Sequence, residues 1–446
     1  MDLHTLEKSP AQDGYLFSRG QAWFAFAMTL ALMVFDYVDR QVIVSLFPYI
    51  KAEWGLSDKQ LGALVSVVSV TVALGALPVA LFADRVSRVK SIVAMATVWS
   101  LATISCMWVR GYSQLVAARA VVGMGEAGYG SVGAALISSH FPARMRGALM
   151  AGFFASASVG SVLGVMLGGA IAARWGWHAA FGVVGVPGLL LALMYLKVRD
   201  YRTVRMAPPL DARRRSLGEA ARHIAKILAR SRTLLWVCIG GAAQLVVVSA
   251  LWSWLPSFLN RVHGLEPAQA GMKAALVVLC GAAGSVICAA VADRVGARRP
   301  RRRLAVMALL CLASMGVLMA AFGLTLAPAT QFGLIALGGF LATCTVGPVS
   351  AIVIDVIHPG VRATGSSVLA LFQNLFGLAA GPFVAGMLSD AWGLVPALTA
   401  TPLCALIAAG AFFTAASSYE RDKARAAEPV DAGLPAAAPT ALASSP

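Results

Sequence analysis

Ala83-Asp84-Arg85-Val86-Ser87-Arg88-Val89-Lys90 returns 209 residues later as Ala292-Asp293-Arg294-Val295-Gly296-Ala297-Arg298-Arg299. Two further echoes follow in the same order. Pro142-Ala143-Arg144-Met145-Arg146-Gly147 returns as Pro359-Gly360-Val361-Arg362-Ala363-Thr364-Gly365, and Arg174-Trp175-Gly176-Trp177 as Ala391-Trp392-Gly393-Leu394, at offsets of 216 and 217. Unchanged order and nearly constant spacing mean that the chain is built from two parallel copies of one unit.

What surrounds the echoes is apolar. Of the 446 residues 59% are hydrophobic and 13% charged, with a mean hydropathy of +0.77, against about 25% charged in a water-soluble domain. Such a surface calls for lipid as its solvent. Runs long enough to span a bilayer, about 20 residues each, fall near 21–46, 60–83, 89–109, 113–138, 147–173 and 178–198. Six more fall near 233–260, 270–292, 303–323, 330–354, 363–388 and 394–418. The expected fold is an all-α membrane protein, with twelve transmembrane helices in two pseudo-symmetric six-helix bundles. Parallel six-helix repeats with a site between them near the midplane belong to one architecture of secondary transporter.

The domains follow directly: an N-terminal segment 1–20, a bundle 21–198, a linker 199–232, a bundle 233–418 and a tail 419–446. The first segment is polar, and the run after it is too long for a cleaved signal. In the linker, Ser216 and Glu219 make a capping-box pair. Leu217, Ala221, Ile224 and Leu228 then share one face, as in an amphipathic helix on a membrane surface; a solvated flexible linker is the alternative. The tail is rich in alanine and proline and reads as disordered.

The net charge of +16 raises the question of a nucleic-acid partner, and its distribution answers it. Of 36 Lys and Arg, Arg40 and Arg119 lie inside apolar runs and six (Lys51, Lys59, Arg110, Arg174, Arg261, Lys273) in odd-numbered loops. The other 28 lie in the termini, in even-numbered loops or at the helix ends meeting them. That asymmetry places both termini in the cytoplasm of a bacterial-type inner membrane and leaves no role for nucleic acid. The expected partners are a small-molecule or lipid substrate, protons and the bilayer, with the chain acting as a monomer. The seven cysteines all lie in apolar runs without metal-ligand spacing. With no Walker-type phosphate loop and no hydrolytic constellation, neither a cofactor, a metal nor enzymatic activity is expected.

Ionisable groups deep in a bilayer are costly, so each is a functional candidate. Five stand in the first half: Asp36, Asp39 and Arg40 in the first run, and Arg119 and Glu126 in the fourth. Spacings of three and four put Asp36, Asp39 and Arg40 on one helical face, and the seven-residue step from Arg119 to Glu126 puts these on another, which Tyr129 continues. Such a set can rearrange on protonation; a static salt-bridge network is the alternative. Gly160, Gly164 and Gly168 form a small-residue stripe for close helix packing. Pocket candidates are Tyr129 and, from the second half, Gln244, Trp252, Trp254, Thr343, Gln373 and Asn374; the two tryptophans read more readily as interface anchors.

The segment 83–90 resembles the loop signature of the major facilitator superfamily, and Arg119 with Gly123 and Gly125 its fourth-helix motif. Asp36-Tyr37-Val38-Asp39-Arg40-Gln41, Leu56-Ser57-Asp58-Lys59-Gln60-Leu61-Gly62 and Gly125-Glu126-Ala127-Gly128-Tyr129 resemble the spinster-like subgroup. Two residues depart from these patterns: Ala80 stands where the superfamily prefers glycine, and Asp36 where the subgroup has asparagine. The resemblance implies a proton-coupled transporter of a lysolipid, sphingoid or other amphiphile. Small organic anions are the alternative, and drug efflux comes third, weakened by the lack of a Gly-Pro pair in the fifth run. It further implies that Asp39, Arg40 and Glu126 respond to protons. Finally, it implies a cytoplasmic gate of Asp84, Arg85, Arg88, Arg146, Asp293, Arg294 and Arg362, with Asp84 set against the eleventh helix near Arg362 and Gly365, and Asp293 against the fifth near Arg146.

Overall fold

The structure, a computed structural model, describes residues 15–85, 87–200, 231–296, 300–357 and 362–427. The expected linker helix lies outside the described residues, as does the tail beyond Ala427. Residues 419–427, expected to be disordered, instead continue the last helix, with Tyr419 and Asp422 buried against the second bundle. Among the described residues, twelve helices are long and apolar enough to cross a membrane. They are α1 (Arg19–Trp54), α2 (Asp58–Arg85), α3 (Arg88–Ser105), α4 (Tyr112–Glu126 and Tyr129–His140), α5 (Ala143–Trp175), α6 (Trp177–Tyr195), α7 (Arg232–His263), α8 (Pro267–Gly296), α9 (Pro300–Gly323), α10 (Pro328–Ala342 and Val346–Asp355), α11 (Arg362–Phe372 and Ala380–Trp392) and α12 (Leu394–Ala400 and Cys404–Ala427). The even number of crossings leaves both described chain ends on one face, the terminal face; the opposite one is the far face.

The sequence echoes are structural landmarks. Gly176 (φ 81°) and Gly393 (φ 89°) turn the chain between α5 and α6 and between α11 and α12, a backbone conformation that glycine adopts without steric cost. α1 and α7 both end in left-handed glycine caps, Gly55 and Gly264, 209 residues apart. α4 and α10 start 216 residues apart, at Tyr112 and Pro328, and both break 216 residues apart, after Glu126 and Ala342. The first break is a turn at Gly128 (φ 82°) and the second a 3-10 turn, Thr343–Thr345. Broken helices at matching depth are the form that transporter sites take between repeats. α11 carries a π-helical turn, Gln373–Leu378.

The glycine stripe of α5 lies on α1: a methyl at Gly164 would fall 2.6 Å from the Val38 carbonyl oxygen, and one at Gly168 2.6 Å from that of Val42. The halves join along two seams toward the far face, α2 against α11 and α5 against α8. The same close approach recurs there, with a methyl at Gly169 2.8 Å from the Pro267 oxygen and one at Gly271 2.8 Å from the Val165 oxygen. The apolar core divides accordingly. One buried cluster runs from the far part of the first half (Val38, Phe47, Leu64) through the second half. A separate one (Leu32, Met95, Tyr129, Phe153) fills only the terminal part of the first half.

Candidate functional site

Asp36, Asp39 and Arg40 sit at the middle of the 36-residue α1, facing α4 just before its break. Helical spacing puts Asp36 one turn from Arg40, and Arg40 Nε donates to Asp36 Oδ1 at 3.2 Å. The same Nε lies 3.0 Å from Glu126 Oε2, and the guanidinium lies over the Tyr37 ring at 5.3 Å. Arg119 turns to the other acid: its Nη1 donates to Asp39 Oδ1 at 3.1 Å and to the Asp39 carbonyl at 3.3 Å. Thr103 of α3 donates to the second Asp39 oxygen.

The five groups therefore divide into an Asp39–Arg119 pair and an Asp36–Arg40–Glu126 trio, where α1 periodicity alone had placed all three of its charges on one face. The pair is balanced and closed, with Arg119 fully buried. In the trio one guanidinium faces two carboxylates. Arg40 is its exposed member, at 17% of its side chain against 4% and 0% for Asp36 and Glu126. Neither Glu126 oxygen accepts an aligned hydrogen bond.

The repeat shows what the second half holds at the same depth. Through the offsets of 209 and 216 just described, Asp36, Asp39 and Glu126 correspond to Leu245, Val248 and Ala342. These three form a small buried cluster of their own. Arg119 corresponds to buried Ile335 and Arg40 to Ser249, whose hydroxyl donates to the Gly377 carbonyl at 3.1 Å. The ionisable site is one-sided.

With that geometry in place, comparison with known proteins is direct. The sequence pattern of the Major Facilitator Superfamily matches residues 29–382. The chain belongs to that superfamily. It is a membrane transporter, not an enzyme. This facilitator is 28% identical over 372 residues to an MFS-type efflux pump of Mycolicibacterium smegmatis, covering 83% of this chain and 85% of that one. It is 26% identical over 448 residues to spinster homolog 3 of Danio rerio, covering 93% and 89%. The fold matches a solved bacterial homolog of the human lysosomal transporter Spinster, in an inward-facing and unoccupied conformation. The TM-score is 0.80 at 23% identity, covering 91% of this chain and 99% of that one. The spinster resemblance seen in residues 36–130 thus extends over most of the chain.

Several pocket candidates change place. Tyr129 is fully enclosed: its hydroxyl donates to the Thr29 carbonyl at 2.6 Å and its ring packs on Trp99 and Phe153. Gln244 is buried inside the second half, donating to Ser314 Oγ at 3.1 Å and the Ala342 carbonyl at 3.0 Å, and Thr343 donates to the Gly281 carbonyl at 2.7 Å. These three hold helices together rather than line an open wall. Trp254 is enclosed between the halves, its ring 5.3 Å from that of Phe47. Gln373 and Asn374 stay half-buried on the π turn of α11, and Trp252 is half-buried with its indole N–H unpartnered. Pattern reading missed Thr103, Tyr37 beneath Arg40, and Gln41, whose buried Oε1 accepts no hydrogen bond. A threonine or glutamine inside an apolar run carries no signal of its own.

The gate set is also redrawn. The side chains of Asp84, Arg85 and Arg362 lie outside the described residues. Arg88 donates to the Ala135 carbonyl at 3.3 Å and to Ser139 Oγ at 3.1 Å at the end of α4, and Arg294 is exposed. Asp293 does not meet α5 near Arg146. It pairs with Arg303 of its own half at 2.6 Å, while Arg146 Nε donates to the Phe141 carbonyl at 3.1 Å. The physical reason is the seam: the halves are joined toward the far face, so terminal-face charges find partners within their own bundle.

Proposed function

We propose that this facilitator is a proton-coupled carrier working by alternating access, with Asp36, Arg40 and Glu126 as the proton-responsive unit. The observation that carries this reading is the uneven charge around Arg40, two carboxylates 3.2 and 3.0 Å from one guanidinium nitrogen. Net charge within a bilayer is costly, so a single proton on either acid gives the balanced form. Burial favours the neutral acid and a facing arginine the carboxylate, so movement of Arg40 between the two acids, or away from one, changes how readily the site holds that proton. Asp39 and Arg119 already balance each other and serve as the fixed wall against which the trio moves. The far-face seams and the separate terminal core correspond to an inward-facing state. The lysine and arginine distribution supports cytoplasmic chain ends in a bacterial-type inner membrane.

For the substrate we favour an amphiphile. At the depth of the charged site the second half holds the buried apolar Leu245, Val248 and Ala342, an asymmetry that suits a molecule with one polar end, and the spinster homologue lies among the relatives. The partial exposure of Arg40 favours a second reading, a small organic anion competing with Asp36 and Glu126 for the guanidinium. Transport into proteoliposomes decides both questions. Glu126→Gln is expected to abolish accumulation driven by a pH gradient while retaining substrate exchange at zero gradient. An unchanged pH profile would place the coupling elsewhere, and competition by short carboxylates but not by lysolipids would select the anion.

A further inference from the structure

Asp58, the first residue of α2, is 3% exposed although it belongs to a loop-proximal turn on the far face. Its carboxylate takes Lys51 Nζ at 2.5 Å from its own half. From the other half it takes both Arg261 nitrogens, Nη1 at 2.7 Å and Nη2 at 2.9 Å, and the Ser389 hydroxyl at 2.5 Å. The other half also answers with an acid. Asp390 accepts the backbone N–H groups of Asp58 and Lys59, each at 2.8 Å, so the open first turn of α2 is capped from across the seam. Ser57 and Gln60 already supply α2 with a local capping box, Ser57 N–H to Gln60 Oε1 at 2.9 Å and Gln60 N–H to Ser57 Oγ at 3.2 Å. The Asp390 contacts are therefore not needed to start the helix. The backbones touch as well: a methyl on Gly386 of α11 would fall 2.8 Å from the Asp58 carbonyl carbon.

We propose that Asp58 is the clasp of the far-face seam, a positioning residue whose pairing with Arg261, Ser389 and the Asp390 cap sets the balance between the two states of the carrier. Every one of these bonds except that to Lys51 crosses between the halves, so opening the far face breaks them together. A two-pronged arginine–carboxylate pair is among the stronger charged hydrogen bonds, and half-opening leaves a buried carboxylate without its fork. The clasp thus favours a seam that is fully closed or fully parted. Lys51 stays with Asp58 in both and keeps its charge partnered after the halves separate. The inference rests on the alternating-access reading above, but not on which acid binds the proton.

Spin labels on cysteines at Arg110 and Thr325, exposed far-face positions on opposite halves, test it without any substrate, with the wild-type protein labelled in parallel as the blank for native cysteines. Asp58→Asn is expected to raise the long-distance, far-face-open population about tenfold or more, less than a fully buried pair would give because Lys51 and Arg261 are partly exposed. Asp58→Glu should restore part of the closed population. Arg261→Gln should shift it likewise, with the Asp58→Asn, Arg261→Gln double variant shifting little further. Gly386→Val, which crowds the same seam without touching a charge, should also open it, and serves if Asp58→Asn folds poorly. In transport, Asp58→Asn should lower the apparent KM for substrate presented at the far face, because the competent state is more populated, and slow turnover. Unchanged distances in both Asp58→Asn and Arg261→Gln overturn the clasp. A wild-type protein fixed at one distance under every pH and substrate condition overturns alternating access instead.

Discussion

At the scale of single residues, the two arginines divide the work by what surrounds them. Arg119 is fully buried, and its carboxylate partner is held on the other side by Thr103. Asp39→Asn is therefore expected to act on stability more than on pH response. Removing one partner of a buried pair costs about 3–5 kcal/mol, because the other charge is left uncompensated. Thermal unfolding in detergent should show a large fall for Asp39→Asn, partly reversed by adding Arg119→Met. If Asp39→Asn kept wild-type stability and lost pH-dependent transport, the pair and the trio would have exchanged roles. The ionisable residues were legible in the sequence because charge inside an apolar run is conspicuous. Their partition was not, since helical periodicity gives a face but not which neighbour meets it. Tyr129 shows the failure in one step: counting three on from Glu126 assumes a continuous helix, and α4 breaks at Gly128 between them.

Among the elements, α1 and α5 approach backbone to backbone over three successive turns, with Tyr37, Gln41 and Ser45 side chains lying against Gly160, Gly164 and Gly168. The stripe does more than fill space. It fixes the rotation of α1, and so the direction in which Asp36 and Arg40 point. Gly164→Leu is expected to push α1 away from α5 and to lower both stability and transport, with overpacking costing about 1–3 kcal/mol. Proton coupling in the surviving protein should weaken too, as Arg40 shifts against Glu126, which is 3.0 Å away. Transport at wild-type rate with unchanged pH dependence would show that α1 is positioned by other contacts. The element count, the repeat and this stripe could all be read in advance, because each depends on local composition. The Asp58 clasp could not, since its partners lie 203 and 331 residues away and a Ser57–Gln60 capping box explains an aspartate there locally.

For the molecule as a whole, the repeat makes its own control experiment. Two copies of one unit share turns, caps and helix breaks at matching positions, yet one copy holds a charged site at mid-depth and the other holds Leu245, Val248 and Ala342. Those residues have no proton to give. On the proposed reading, the trio takes up one proton per cycle, which sets a thermodynamic ceiling. For a neutral substrate at zero membrane potential, each unit of pH gradient supports about a tenfold concentration ratio, the exchange rate between pH and free energy. Steady-state accumulation plotted against imposed gradient should rise one decade per unit, and a slope near two would reveal a second titrating acid. On that reading an apolar second half limits how steeply the carrier can concentrate its cargo, because each molecule moved is driven by a single proton.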